Sequence, residues 1–284
     1  MDSFEGCRAV VTGGASGIGL GLASVFVEDG ASAVTIGDIE AAALDPALAR
    51  LGELGGAAGH GVRTDVTDPA SVDALADAAW EAMGGVDVVC LNAGVFAGGF
   101  SWETTLDDWN WVLDVNLRGV IHGIRSFVPR LIEQGTPAHV VITASIAGVV
   151  ASPASAVYCT SKFAAVGLAE SLHHDLGLAG APHVGVSVLC PAMVATNIGH
   201  GDRNRPAGLG PTTDTDASRL AAAGIDDAMG WGVDPHVGAR HALEQVKAGR
   251  FYVTTHEGDI WERLVGNQNE DRLAGRAPRF QMYE

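Results

Sequence analysis

Short apolar runs bounded by turn residues alternate along this chain with longer stretches in which apolar positions recur every three or four residues. The runs at 8–12, 34–37, 60–64, 86–91, 140–144, 185–190 and 251–255 read as strands. Between them, Ile18, Leu22, Val25 and Phe26 follow a helical spacing, as do Val72, Leu75 and Ala79 behind Pro69. A helix interrupted at Pro46 is expected before the third strand, and one long helix over about 105–133, with Trp109, Val112, Leu113, Asn116, Val120 and Ile124 on its pattern. Further helices are expected over 154–178 and 234–248. Regular alternation of strand and helix, with no repeat and no linker between two cores, predicts a single α/β domain over 1–284. Its core is a doubly wound parallel sheet of seven strands with helices on both faces, and ligands bind at the carboxyl ends of the strands.

Two segments break the pattern. Residues 197–232 are interrupted by glycine, proline and charge, so an irregular lid over substrate is expected there. Residues 258–284 carry Trp261, Leu264 and Val265 and then a polar, arginine-bearing extension whose use the sequence does not reveal.

Composition narrows the classes. A hydrophobic share of 47% with 38 glycines suits a buried sheet with many tight turns and argues against disorder. The formal charge of −17 repels phosphate polymers and anionic lipid, so neither nucleic acid nor membrane is expected as a partner. No apolar run reaches the roughly 18 residues of a membrane span and no basic leader precedes an apolar segment, so a cytoplasmic location is expected. Cys7, Cys90, Cys159 and Cys190 form no C-x-x-C pair and read as reduced core thiols. The ten histidines show no metal-ligand spacing, and no metal site is expected.

Two clusters carry candidate chemistry. The first is a strand, a glycine turn containing Gly13, Gly17 and Gly19, and a helix opening at Ile18. Such a turn lets backbone approach a pyrophosphate while the helix N-terminus offers free N–H groups. Asp38 ends the next strand, nineteen residues beyond Gly19, where an acid meets ribose hydroxyls and repels a 2′-phosphate. It is equally suited to capping the helix that starts near Glu40. The second cluster is Tyr158 with Lys162, four apart on one helical face, where a cation beside a phenol is expected to lower its pKa. Ser145 precedes Tyr158 by thirteen residues, at the end of a strand.

Ser145, Tyr158 and Lys162 in this order, with the Thr-Gly-Gly-x-x-x-Gly-x-Gly run from Thr12 to Gly19, resemble the short-chain dehydrogenase/reductase family, in its single-domain branch with a Rossmann-type fold, over about residues 6–256. The resemblance implies that Gly13, Ser16, Gly17, Ile18 and Gly19 hold a dinucleotide, with Asp38 and Ile39 at its adenosine ribose and Asp65 and Val66 at the adenine. Neither Ser16 nor Ile39 is basic, which favours NAD over NADP. Asn92, Ala93 and Gly94 are similar to the family's Asn-Asn-Ala-Gly turn, with Leu91 in place of the first asparagine; Asn92 has a role in bracing the central strands as an alternative to one in chemistry. Pro191, Val194 and Thr196 match the segment against the nicotinamide, with Ala192 in place of a glycine. In the family, the residue at Asn116 holds a proton-relaying water; a buried amide bonded to backbone is the alternative.

By the same resemblance, Tyr158 is the general acid/base, Lys162 lowers its pKa and binds the nicotinamide ribose, and Ser145 steadies the substrate oxygen. The expected reaction moves a hydride between NAD and a secondary alcohol or its ketone. Segments 116–123 and 127–130 look like those of bacterial relatives acting on bulky aryl or alicyclic alcohols, and Val95, Phe96, Val149 and Met193 near the expected pocket are apolar. A homotetramer or homodimer is implied. Two other classes remain: a non-catalytic NAD-binding sensor or scaffold, and a lyase, dehydratase or epimerase on the same fold, which the chain length disfavours.

Overall fold

The computed structural model describes residues 1–280. Seven strands form one parallel sheet: β1 (Arg8–Thr12), β2 (Ala33–Asp38), β3 (Ala58–Arg63), β4 (Val88–Leu91), β5 (Ala138–Thr143), β6 (Val184–Leu189) and β7 (Tyr252–Val253). Their order is β3-β2-β1-β4-β5-β6-β7. The direction of winding reverses between β1 and β4, which opens a crevice at the carboxyl ends of those strands.

Both faces of the sheet are covered. On one, Leu75 of α3 (Pro69–Met83), Phe127 of α5 (Gly119–Gln134) and Ala165 of α6 (Ala156–Leu178) share a continuous core with Val140 and Ile142 of β5. On the other, Phe26 of α1 (Gly17–Glu28), Leu51 of α2 (Ala41–Leu54) and Leu243 of α8 (Pro235–Lys247) share a continuous core with Val11 and Ile36. A strand covered on both sides is largely apolar: β4 is so throughout, and β1, β2 and β5 are buried along nearly their whole length, with their few polar residues buried too. All four cysteines are buried and free.

Three expectations are corrected, and one further helix was not foreseen. Pro46 does not interrupt its helix: α2 runs through it, because the buried stripe Leu44, Ala47 and Leu51 outweighs the one backbone bond proline cannot make. The long helix over 105–133 is three pieces, α4 (Leu106–Leu113), a π-helical turn (Asp114–Arg118) and α5, and Asn116 sits in the π turn. Residues 197–232 are not irregular throughout. They hold a short 3₁₀ segment (Ile198–Asn204) and the sixteen-residue α7 (Asp216–Trp231), nucleated by a capping box between Thr215 and Ser218. The C-terminal extension contains α9 (Ile260–Leu273), whose Leu264 is buried against Ile146 and Val150.

Candidate active site

The strand ends are stitched together before any ligand chemistry is considered. Thr12 Oγ1 accepts from the backbone N–H of Asn92 (2.9 Å) and of Ala93 (3.2 Å). The Asn92 amide donates back to the Thr12 carbonyl (3.1 Å) and its oxygen accepts from Thr143 Oγ1 (3.1 Å). One side chain thus ties β1, β4 and β5 at the mouth of the crevice, which is the bracing role the sequence left open for Asn92.

The glycine turn is a cradle that a larger residue would fill. Gly13 and Gly17 take φ of +63° and +52°, a region favouring glycine. A Cβ on Gly19 would lie 2.0 Å from the Gly13 carbonyl oxygen. Ser16 stands at the N-cap of α1 without bonding the helix through its side chain, so the first-turn N–H groups remain available to an anion. The turn therefore fits a pyrophosphate. Asp38 is buried beside it, its carboxylate accepting from Ala15 N–H (3.0 Å) and Glu40 N–H (3.0 Å). Asp38 lines the crevice and holds the Glu40 N–H just ahead of α2, whose N-cap, Glu40, has no side-chain cap bond.

Continuing along the same cleft, of about 500 Å³, are Ile18, Ile39, Asp65, Val66, Ala93 and Gly94, then Tyr158, Lys162, Pro191, Val194 and Thr196. Gly19 and Asn116 lie behind its wall. Asn116 is fully buried and its amide is satisfied: the oxygen accepts from Val95 N–H (2.8 Å), and the nitrogen donates to the Val95 carbonyl (2.9 Å) and Ser161 Oγ (3.0 Å). The alternative of a buried amide bonded to backbone describes this side chain, and it fixes the loop that carries Val95 and Phe96 into the cleft.

At the centre, Ser145 is delivered just past β5 with its hydroxyl accepting from Ala147 N–H (3.1 Å) and donating to the Pro191 carbonyl (3.4 Å), and it lines the cleft together with Tyr158. Phe96 meets the Tyr158 ring edge-on, centroids 5.2 Å apart. The Lys162 ammonium is buried, donates to the Thr143 carbonyl (3.0 Å) and lies 5.7 Å from the centroid of the Tyr158 ring. The expected lowering of the phenol's pKa is not what this arrangement produces. Burial pushes Tyr158 up to about 12, with the Ser145 hydroxyl pulling against it. Burial also pushes Lys162 down to about 8. Desolvation outweighs attraction because both groups are withdrawn from water and the ammonium is turned toward a carbonyl.

Beyond Tyr158 the cleft becomes apolar. Val95, Phe96 and Met193 line it as expected, whereas Val149 turns away to pack under α9. Sequence reasoning missed Phe100, Trp111, Leu220, Ile225, Met229, Leu264 and Phe280, which also line it. The spacing of Leu220, Ala221, Gly224, Ile225 and Met229, one face of α7, was the available signal.

Fold and site define an α/β oxidoreductase of the doubly wound, single-sheet kind. The family model described as short chain dehydrogenase matches residues 8–206, and the chain belongs to that family. It is 43% identical over 215 residues, 75% of this chain and 76% of the other, to 1-deoxy-11-beta-hydroxypentalenate dehydrogenase of Streptomyces exfoliatus. It is 35% identical over 254 residues, 89% of this chain and 81% of the other, to C alpha-dehydrogenase of a Sphingobium species. Among solved structures, a short chain dehydrogenase/reductase from Burkholderia phymatum in complex with NAD superposes with a TM-score of 0.94 at 39% identity, covering all of both chains.

Proposed function

We propose that this protein is an NAD-dependent dehydrogenase that interconverts a bulky, apolar secondary alcohol and its ketone. The observation that carries the reading is the meeting of Ser145, Tyr158 and Lys162 at the floor of a cleft that is a glycine cradle at one end and apolar at the other. The NAD complex of the Burkholderia protein and the dehydrogenase names of the two relatives support it.

When bound, the nicotinamide supplies the hydride acceptor or donor. Tyr158 exchanges a proton with the substrate oxygen, and Ser145 holds that oxygen through its hydroxyl. Lys162 keeps a positive charge beneath the site through neutral pH and would hold the nicotinamide ribose. Asn116 acts by positioning Val95 and Phe96, and its main chain is the part left to hold a relaying water. With its phenol at about 12, Tyr158 is an acid at neutral pH and becomes a base only as pH rises. Alcohol oxidation is therefore expected to climb toward alkaline pH, by up to about tenfold per unit, while ketone reduction does not.

A cytoplasmic homodimer or homotetramer belongs to the same reading. The outward face of α6 carries Phe163, Ala164, Gly167 and Leu168, small and apolar enough to pack on a second copy, and sedimentation would measure it.

The test is the absorbance of reduced nicotinamide, with NAD or NADP, over aliphatic, alicyclic and aryl secondary alcohols, beside Tyr158→Phe. The variant should lose about 10²–10⁴-fold in turnover while still binding NAD. Near-parental activity would remove Tyr158 from the mechanism. NAD binding without turnover of any alcohol would favour a sensor, and substrate conversion without net NADH would favour a lyase or epimerase.

A further inference from the structure

The reading above leaves the C-terminal extension without a role, yet its packing is specific. Leu264 of α9 is buried with Ile146 and Val150, and Ala192 lies at the edge of the same cluster. Ile146 and Ala192 directly follow Ser145 and Pro191 in the chain, and Leu264 itself lines the cleft, so α9 is laid over its substrate end. After α9 the chain reverses through Gly275, at φ +63°. The reversal is held by one carboxylate. Asp271 is 1% exposed, and it accepts from Arg276 Nε (2.9 Å), Arg279 Nε (2.8 Å) and the Arg279 backbone N–H (3.2 Å). A guanidinium nitrogen of Arg279 also reaches the Asn267 carbonyl (3.4 Å). From Asp271 to Asn267 is one helical turn backward, so the strand of chain after Gly275 runs back along α9 toward Leu264.

We infer that residues 274–280 form a strap, latched by Asp271, that lays Phe280 against the substrate end of the cleft and makes it a specificity-determining residue for bulky apolar alcohols. The inference rests on the dehydrogenase reading and deepens it. Phe280 lines the cleft together with Leu264 and remains 41% exposed, so part of its ring is still free to be covered by a ligand. An aromatic face exposed at a cleft wall gains most when a ligand of comparable breadth covers it. A three-carbon secondary alcohol has too little apolar surface to cover such a ring while held at Tyr158. The two arginines of the strap are paired with Asp271 and lie near Glu270, so the strap offers the cleft an apolar ring and not a cation. Two guanidiniums hold the Asp271 carboxyl down at about 2, and the latch stays charged across the working range of an enzyme.

The experiment compares the full chain with Phe280→Ala, Phe280→Leu and Asp271→Asn, using 2-decalol as a two-ring alicyclic alcohol and 2-propanol as a small one. The ratio of kcat/KM for 2-decalol over 2-propanol should fall about tenfold in Phe280→Ala, through KM and not kcat. Phe280→Leu should restore most of it. Asp271→Asn keeps the ring but turns an amide N–H toward Arg279, and should lower the ratio in the same direction. Calorimetric titration of 2-decalol into the same NAD-loaded proteins carrying Tyr158→Phe as well reads the strap without turnover. A wild-type protein that binds 2-decalol but oxidises no alcohol would therefore count against the dehydrogenase reading alone. An unchanged ratio and unchanged 2-decalol affinity in Phe280→Ala would overturn the strap's role.

Discussion

The two ends of the cleft are built from different materials. The end at Gly13 to Asp38 is made of backbone: strand termini, a turn at positive φ and the start of α1, braced by Thr12 and Asn92 across three strands. The end beyond Tyr158 is made of side chains from segments distant in sequence, Phe96 from the loop after β4, Leu220 and Met229 from α7, Leu264 and Phe280 from the C-terminal extension. Backbone geometry at the heart of a sheet cannot be altered without disturbing the sheet. Side chains on a lid can be exchanged while the fold stands. One end therefore serves a constant ligand, and the other is free to suit a particular one.

The comparison can be broken most forcefully at Gly19. A methyl there would stand 2.0 Å from the Gly13 carbonyl oxygen and 2.7 Å from Asn92 Nδ2, and neither can retreat because both brace the strand ends. Gly19→Ala should cost about 3 kcal/mol of global stability and abolish dinucleotide binding together with it. Urea unfolding and an NAD titration on the same sample would check this. A variant that keeps both would show the cradle to be more pliable than its contacts imply.

A defect of equal local severity at the other end should be felt differently. Asp108 and Arg205 form a buried ion pair, 2.9 Å apart, between α4 and the lid, with the Arg205 guanidinium 5.1 Å above Trp111. The second oxygen of Asp108 accepts from Thr105 Oγ1 (2.8 Å) and Thr213 Oγ1 (2.5 Å). Burial raises the carboxyl's pKa, but the hydrogen bonds from Thr213 and Thr105 and the charge of Arg205 more than reverse that, and the group stays ionised. Asp108→Ala would strand a buried guanidinium, which in a rigid core costs several kcal/mol. Here the lid can lift and let Arg205 reach water. Global stability should fall by only about 1 kcal/mol, the worth of the lost cap on α4, while trypsin cuts at Arg203, Arg205 or Arg219 far sooner. Loss of global stability as large as at Gly19 would mean that the lid is part of the cooperative core.

The same contrast explains what could be read from the sequence. The seven strands, the glycine turn and the residues at the strand ends were legible because each is a local pattern: an apolar run, a glycine spacing, an acid at a strand terminus. Ser145, Tyr158 and Lys162 were legible because their order and spacing, together with the glycine turn, resemble those of the short-chain dehydrogenase/reductase family. Helix α7 was missed because Gly224, Gly230 and paired aspartates at 226 and 227 weaken its pattern, although Thr215 and Ser218 announce its start. Phe280 was invisible because nothing local says that a polar tail doubles back; the ion pairs to Asp271 exist only once α9 has formed. The direction of the Tyr158 pKa was misjudged because spacing gives proximity to Lys162 and not the water lost by both.

Asp38 sharpens the comparison at its smallest expected effect. Its carboxylate has two jobs, accepting from Ala15 and Glu40 N–H within the fold, and facing the cleft. Its neighbour Glu40 accepts from Arg203 Nε (2.9 Å) and Asn204 Nδ2 (2.8 Å) of the lid, and those bonds draw its pKa below the ordinary carboxylate value. The backbone-built end is thus also the place where the lid is tethered. Asp38→Ala removes a negative charge that repels a 2′-phosphate and leaves two N–H groups able to donate to one. The preference for NAD over NADP, measured as a ratio of kcat/KM values, should drop about tenfold, with a loss of about 1–2 kcal/mol in stability from the two missing hydrogen bonds. A stability loss without a change in the ratio would assign Asp38 to the fold alone. The adenosine end would then discriminate through the shape of its backbone and not through charge.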